Sequence, residues 1–120
     1  MNQENTELTG AIIDAIQDVK GRDVTVIDLD ELQGASASQY IIATGNTPTQ
    51  VTAIADSVRE KVQEGTGVKP YNYDGYRNST WIVLDYGHVM VHVFVPDARN
   101  FYDIEQLWSD GVITKVADLD

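Results

Sequence analysis

Apolar residues recur along this chain in two periods. Leu8, Ile12, Ile13, Ile16 and Val19 fall three and four apart, which predicts a first helix ending near Gly21. Val24, Val26 and Ile27 in V-T-V-I-D-L read as a strand, followed by a polar loop through Gln33, Gly34 and Ala35. The continuous run Y-I-I-A-T, bounded by Gly45, predicts a buried strand. Thr47-Pro48-Thr49-Gln50 is a helix start: Thr47 caps, Pro48 suits the first helical position and Gln50 completes a capping box. Val51, Ile54, Ala55, Val58 and Val62 then line one face as far as about Glu64, where Gly65 and Gly67 stop the helix. Residues 69–76 are a short extended or looped segment with three tyrosines, and strands follow over 80–86 and 88–95, joined at Gly87 and ended by Pro96. Phe101, Ile104, Glu105, Leu107 and Trp108 suit one last helix, and an acidic tail, about 113–120, is expected to be partly disordered. This order predicts one mixed α/β (α+β) domain over residues 1–120, a single mixed sheet with flanking helices.

The final strand pair, W-I-V-L-D-Y-G-H-V-M-V-H-V-F, carries an Asp, a Tyr and both histidines of the chain. Side chains alternate along a strand. A two-residue turn at Tyr86-Gly87 sets 85 opposite 88, 83 opposite 90 and 81 opposite 92. One face then collects Ile82, Leu84, Val89, Val91, Val93 and Val95 and should be core. The other collects Trp81, Val83, Asp85, His88, Met90, His92 and Phe94. Large apolar anchors among a few polar groups are what a protein-binding patch presents. The competing reading is a second core layer under a helix, with His92 hydrogen-bonded inside.

Charge narrows the partners. The chain of 120 residues holds 19 acidic and 8 basic residues, a formal net charge of −11. The basic residues are scattered, so phosphate contacts to nucleic acid are disfavoured, and a basic protein is the natural complement. The bland explanation of the charge is solubility or life in high salt. There is no cysteine, which excludes disulfides and thiolate chemistry and fits a reducing compartment. The polar N-terminus does not look like a signal peptide, and no apolar run approaches the ~20 residues of a membrane helix. A cytoplasmic protein is expected.

Catalytic and metal chemistry find little support. His88 and His92 have the spacing of helical zinc ligands, but on a strand four residues span roughly 13 Å. Asp28 and Asp30 share a strand face and are a weak candidate for Mg²⁺ and phosphoryl transfer; a solvated strand end is the plainer reading. Gly45-Asn46-Thr47 before a helix could offer N–H groups to an anion, but it lacks a phosphate-loop lysine. Asp85 with His92 could form an acid–base pair, though a structural hydrogen bond is the plainer account. No catalytic residue, metal or cofactor is expected.

The stretches Y-I-I-A-T-G-N-T-P-T-Q-V, W-I-V-L-D-Y-G-H-V-M-V-H-V-F and A-R-N-F-Y-D-I-E-Q-L-W-S-D, taken together, closely resemble the ribosomal silencing factor (RsfS, or Iojap) family over about residues 6–112. The resemblance implies a nucleotidyltransferase-like fold that lacks the active site. It also implies a non-enzymatic translation regulator. Such a factor binds the fourteenth protein of the large ribosomal subunit at the intersubunit face, blocks subunit association and represses translation; organellar members assist large-subunit assembly. The alternative is a metal-dependent nucleotidyltransferase using Asp28 and Asp30, although these precede Gly45, the wrong order for such enzymes. Carried over, the interface candidates are Trp81, Asp85, Tyr86, Gly87, His88, Met90 and His92. Arg99, Tyr102, Glu105 and Trp108 either contribute to the interface or brace the hairpin. His88 and Gln39 stand where the family commonly has Asp. A homodimer through the same aromatic face is the competing use of that surface, and the two partners would exclude each other.

Overall fold

Two buried strands organise the molecule, each flanked by less protected neighbours. The structure, a computed structural model, describes residues 3–29 and 37–119, with side chains from residue 7 onward. The loop expected at Gln33, Gly34 and Ala35, and Asp30 with it, lies outside the described residues. The elements are α1 (Gln3–Asp18), β1 (Arg22–Asp28), β2 (Gln39–Thr44), α2 (Pro48–Thr66), β3 (Asn72–Asp74), β4 (Trp81–Asp85), β5 (Val89–Phe94), α3 (Pro96–Tyr102), α4 (Ile104–Leu107) and β6 (Val112–Lys115). They form one six-stranded sheet in the order β3-β4-β5-β2-β1-β6. β2 runs parallel to β5, and every other neighbouring pair is antiparallel.

β2, the Y-I-I-A-T run, sits beside β5 with all six of its residues buried. A strand covered on both faces needs no polar alternation, which is why it reads as a continuous apolar run. One sheet face packs against the stripes of α1 and α2. Leu8, Ile12 and Ile16, with Val51, Ile54, Ala55, Val58 and Val62, meet Ile41, Ala43, Ile82, Leu84, Val89, Val91 and Val93 there. The Ser57 hydroxyl donates to the Ala15 carbonyl at 2.8 Å, joining the two helices. A smaller core on the opposite face holds Ile27, Leu29, Tyr40, Ile42 and Phe94 under Ala98, Ile104 and Trp108.

The helix start at Thr47 is as expected, with one refinement. Thr47 Oγ1 accepts from the Gln50 amide at 3.1 Å, but the Gln50 side chain reaches back to the Asn46 amide, one residue before the cap, at 2.7 Å. Gln50 Nε2 also donates to the Lys20 carbonyl at 3.1 Å, fastening the end of α1. Gly65 lies within α2; Gly67 alone ends the helix, as a left-handed cap whose amide donates to the Gln63 carbonyl.

Three expectations are corrected. The strand pair is displaced by two residues: Trp81 faces Phe94, Val83 faces His92 and Asp85 faces Met90. The Tyr86 amide donates to the Val89 carbonyl, so the two-residue turn is Gly87-His88 rather than Tyr86-Gly87. Gly87 adopts φ +85°, the positive value a type II′ turn demands of its first residue. A shift of two preserves parity, so the faces stand as read. The last helix is two helices, broken at Asp103 with φ 44° and ψ 51°. The tail expected to be partly disordered contains β6, an edge strand paired with β1.

Gly75 helps set where Trp81 leaves the sheet. At φ +102° it carries the chain from β3 across the start of β4, and a Cβ there would collide with the Trp81 carbonyl oxygen. Only a residue without a side chain permits so close an approach at that φ.

Candidate functional site

The outer face of the β4–β5 hairpin is built by alternation. Trp81, Val83 and Asp85 on β4 and Met90, His92 and Phe94 on β5 point away from α1 and α2, toward α3 and α4. Phe94 is fully buried and His92 is 5% exposed. For these two, the second-core-layer reading holds. Trp81 and Met90 are half-buried. The Trp81 ring stacks on Phe94 at 5.0 Å between centroids and meets Tyr102 at 4.6 Å. Tyr40, from β2, lies 4.8 Å from the His92 ring and takes Trp108 edge-on at 5.9 Å. Rings at these separations pack in tilted and offset arrangements that add to area burial.

His92 does not pair with Asp85. Its Nδ1 accepts from the Trp81 indole Nε1–H at 3.1 Å. Burial pushes its pKa down to about 4 from the ordinary 6.5. The Asp85 carboxylate accepts instead from the Gly87 amide at 2.8 Å and so shapes the turn. His88 is exposed at the tip, and its carbonyl accepts from the amides of Ser38 and Gln39, tying the turn to the start of β2. Tyr86 points the other way, into the core beneath α1 and α2, where burial raises its phenol pKa to about 12. The structure therefore brings Trp81, Met90, His92, Tyr102 and Trp108 together and leaves Tyr86 on the opposite face.

Arg99 and Glu105 are internal braces. Arg99 Nε and Nη2 donate to the two Glu105 oxygens at 2.8 and 3.2 Å. Nη1 donates to the Asp23 carbonyl at 2.7 Å and to Thr44 Oγ1 at 2.8 Å, and Nη2 to Thr25 Oγ1 at 3.1 Å. With five donors and five acceptors, the guanidinium is fully engaged, and its side chain is 12% exposed. It fastens α3 and α4 to β1 and β2 rather than to the hairpin. An open polar cleft of about 780 Å³ lies beside it, lined also by Asp23, Asn46 and Lys115.

The sequence reads Phe101 and Leu107 as apolar positions of a single last helix. The break at Asp103 turns both outward instead, 81% and 72% exposed, beside half-exposed Tyr102. Ile104 and Trp108 turn inward onto the second core. Tyr102, against Trp81, and Phe101, edge-on to Tyr102 at 5.0 Å, thus continue the hairpin's half-buried aromatic face as an exposed ridge, with Leu107 exposed on α4. Large side chains presented together in this way mark an interaction surface.

Among the described residues, no group of three or more His, Cys, Asp or Glu could hold a metal ion. Nor is any helix among them long and apolar enough to cross a membrane.

The model of the family described as "ribosomal silencing factor during starvation" matches residues 2–120. The chain is 38% identical to the ribosomal silencing factor RsfS of Chromobacterium violaceum over 105 residues, 88% of this chain and 84% of that protein. It is 32% identical to RsfS of Bacillus subtilis over 120 residues, 100% of this chain and 96% of that one. A crystal structure of a Chromobacterium violaceum protein superposes with a TM-score of 0.82 at 38% identity, covering 87% of this chain and 85% of that one.

Two outcomes are expected from the geometry. Arg99→Lys keeps the charge but loses the planar fork, and should lower stability by about 2 kcal/mol or more. Urea unfolding measures this, and an unchanged midpoint would contradict the brace. His92 supplies a pH dependence. Above about pH 6.5 the ring is neutral in both folded and unfolded chains. Between there and about pH 4 only the unfolded chain takes up the proton, so stability falls as pH falls, by roughly 3 kcal/mol across the window. Unfolding curves at stepped pH should show this added slope in the native chain and lack it in His92→Asn; parallel curves would refute it.

Proposed function

The chain belongs to the RsfS family of ribosomal silencing factors, and we propose that it binds the large ribosomal subunit, prevents the small subunit from joining and so represses translation. The observation that carries this reading is the run of rings from half-buried Trp81 to Tyr102, 4.6 Å away, and on to exposed Phe101, 5.0 Å further, with Met90 half-buried on the same hairpin face. Its partner is the fourteenth protein of the large subunit, on the face the small subunit meets. Trp81 is the central anchor, with Met90 beside it and the α3–α4 ridge completing the contact. Asp85, Gly87 and His88 form the turn at one end of that surface. Interfaces of this kind draw most of their energy from a few aromatic anchors within a rim of weaker contacts.

Charge supports a basic partner. Several basic side chains are engaged within the fold: Lys61 pairs with Asp18 at 2.6 Å, Arg22 with Asp118 at 3.4 Å and Arg99 with Glu105. Arg59 lies 4.0 Å over the Tyr73 ring. With a net charge of −11, the chain repels phosphate and attracts a cationic protein surface. In this reading the protein works by occupying a surface, without catalysis, in the compartment where ribosomes are found. Holding the large subunit before joining also gives it a place in that subunit's assembly.

Association of purified subunits, resolved on sucrose gradients, tests this. Excess protein should deplete joined ribosomes, and Trp81→Ala or Leu107→Asp should weaken the effect about tenfold or more, as loss of an interface anchor does. Tyr73→Ala, on the α2 side of the sheet beneath Arg59, should act like the unaltered chain. Undiminished joining with excess unaltered protein would sink the proposal.

A further inference from the structure

His92 is a polar ring at a site built for an apolar one. Tyr40 approaches it from β2, Val83 and Trp81 flank it on β4, and Phe94 lies next along the same face. Behind these stand Tyr102, against Trp81, and Trp108, against Tyr40. None of these neighbours is a carboxylate or a cation.

The hydrogen bond fixes the tautomer. An indole nitrogen only donates, so the Nδ1 that receives it carries no proton and Nε2 does. Nε2 is itself buried without a partner. An orphaned buried donor is unfavourable, and a leucine or phenylalanine here would avoid that cost. What the imidazole supplies, and those residues cannot, is the acceptor for Trp81.

That acceptor does something stacking cannot do. Phe94 and Tyr102 press on the Trp81 ring, but a flat contact is nearly indifferent to which edge of the indole points where. A directional bond to Nε1–H distinguishes the two flipped orientations and holds one of them. We propose that His92 is a positioning residue for partner recognition: through Nδ1 it selects the Trp81 orientation that the large subunit meets. This rests on the function proposed above. Because burial keeps the ring neutral down to about pH 4, the acceptor is present throughout the physiological range.

The test uses the full chain and isolated large subunits. His92→Phe keeps a ring and removes the acceptor; His92→Asn offers Oδ1 near the place of Nδ1; Trp81→Phe removes the donor. In nitrogen-15 spectra, His92→Phe should move the Trp81 indole N–H signal upfield while leaving that of Trp108 close to its place. Affinity for the subunit should fall about tenfold, as for loss of one well-placed polar contact. His92→Asn should restore both the signal and, to within about threefold, the affinity. In the Trp81→Phe background, His92→Phe should cause no further loss. His92→Leu takes the place of His92→Phe if the larger ring prevents folding. An acceptor-less variant that folds and binds like the unaltered chain would overturn the inference alone, as would an equal loss in the Trp81→Phe background. An unaltered chain that fails to bind the subunit would overturn the proposed function and this inference with it.

Discussion

One guanidinium ties the helices of the proposed functional face to the sheet. α3 has seven residues and α4 has four, too few for either to be stable alone. Neither helix buries a residue fully, so packing alone fixes them weakly. Arg99 joins Glu105 at the start of α4 to the Asp23 carbonyl, Thr25 and Thr44 on the sheet. Each bond is directional and the group is largely shielded from water, where charge-assisted pairs are strong. This fork adds directional bonds to the ring contact of Tyr102 with Trp81 and the packing of Ile104 and Trp108, which otherwise set the α3–α4 segment against the hairpin.

The same half of the molecule shows how a sheet handles its second face. α1 and α2 cover one side with aliphatic stripes alone. The other side is covered by two short helices, which leave room for half-exposed rings. Polar atoms within it are tolerated by pairing locally: Asp85 with the turn amide, His92 with the Trp81 indole. The proposed binding surface is therefore continuous with the core. Phe94 and His92 lie beneath, Trp81 and Met90 lie half-way, and Phe101 and Leu107 lie outermost.

Much of this was legible in the chain wherever a signal was local. The Thr47 cap and the stripe from Val51 to Val62 read correctly because both follow from helical spacing and one turn of backbone chemistry. The hairpin faces survived a register error because a two-residue slip leaves side-chain parity intact. The break at Asp103 was not legible: Phe101, Ile104 and Trp108 have helical spacing, and the contacts that accompany two helices, Arg99 with Glu105 and Ile104 and Trp108 on the second core, are tertiary. β6 was missed because V-I-T-K gains its strand character from β1, some ninety residues earlier in the chain. Of the eleven candidate site residues, spacing alone could not sort surface from brace. Arg99 and Glu105 turn inward to each other, and Tyr86 enters the opposite core, for reasons of long-range packing.

The central claim is that the outer hairpin face and the α3–α4 ridge form the surface that meets the large subunit. Hydroxyl-radical footprinting of the full chain, free and bound to isolated large subunits, tests it most directly, because aromatic and sulfur side chains report their own accessibility. Protection is predicted at Trp81, Met90, Phe101, Tyr102 and Leu107, with Tyr73 on β3, beneath Arg59, unchanged. Protection at Tyr73 with an unprotected ridge would contradict the account.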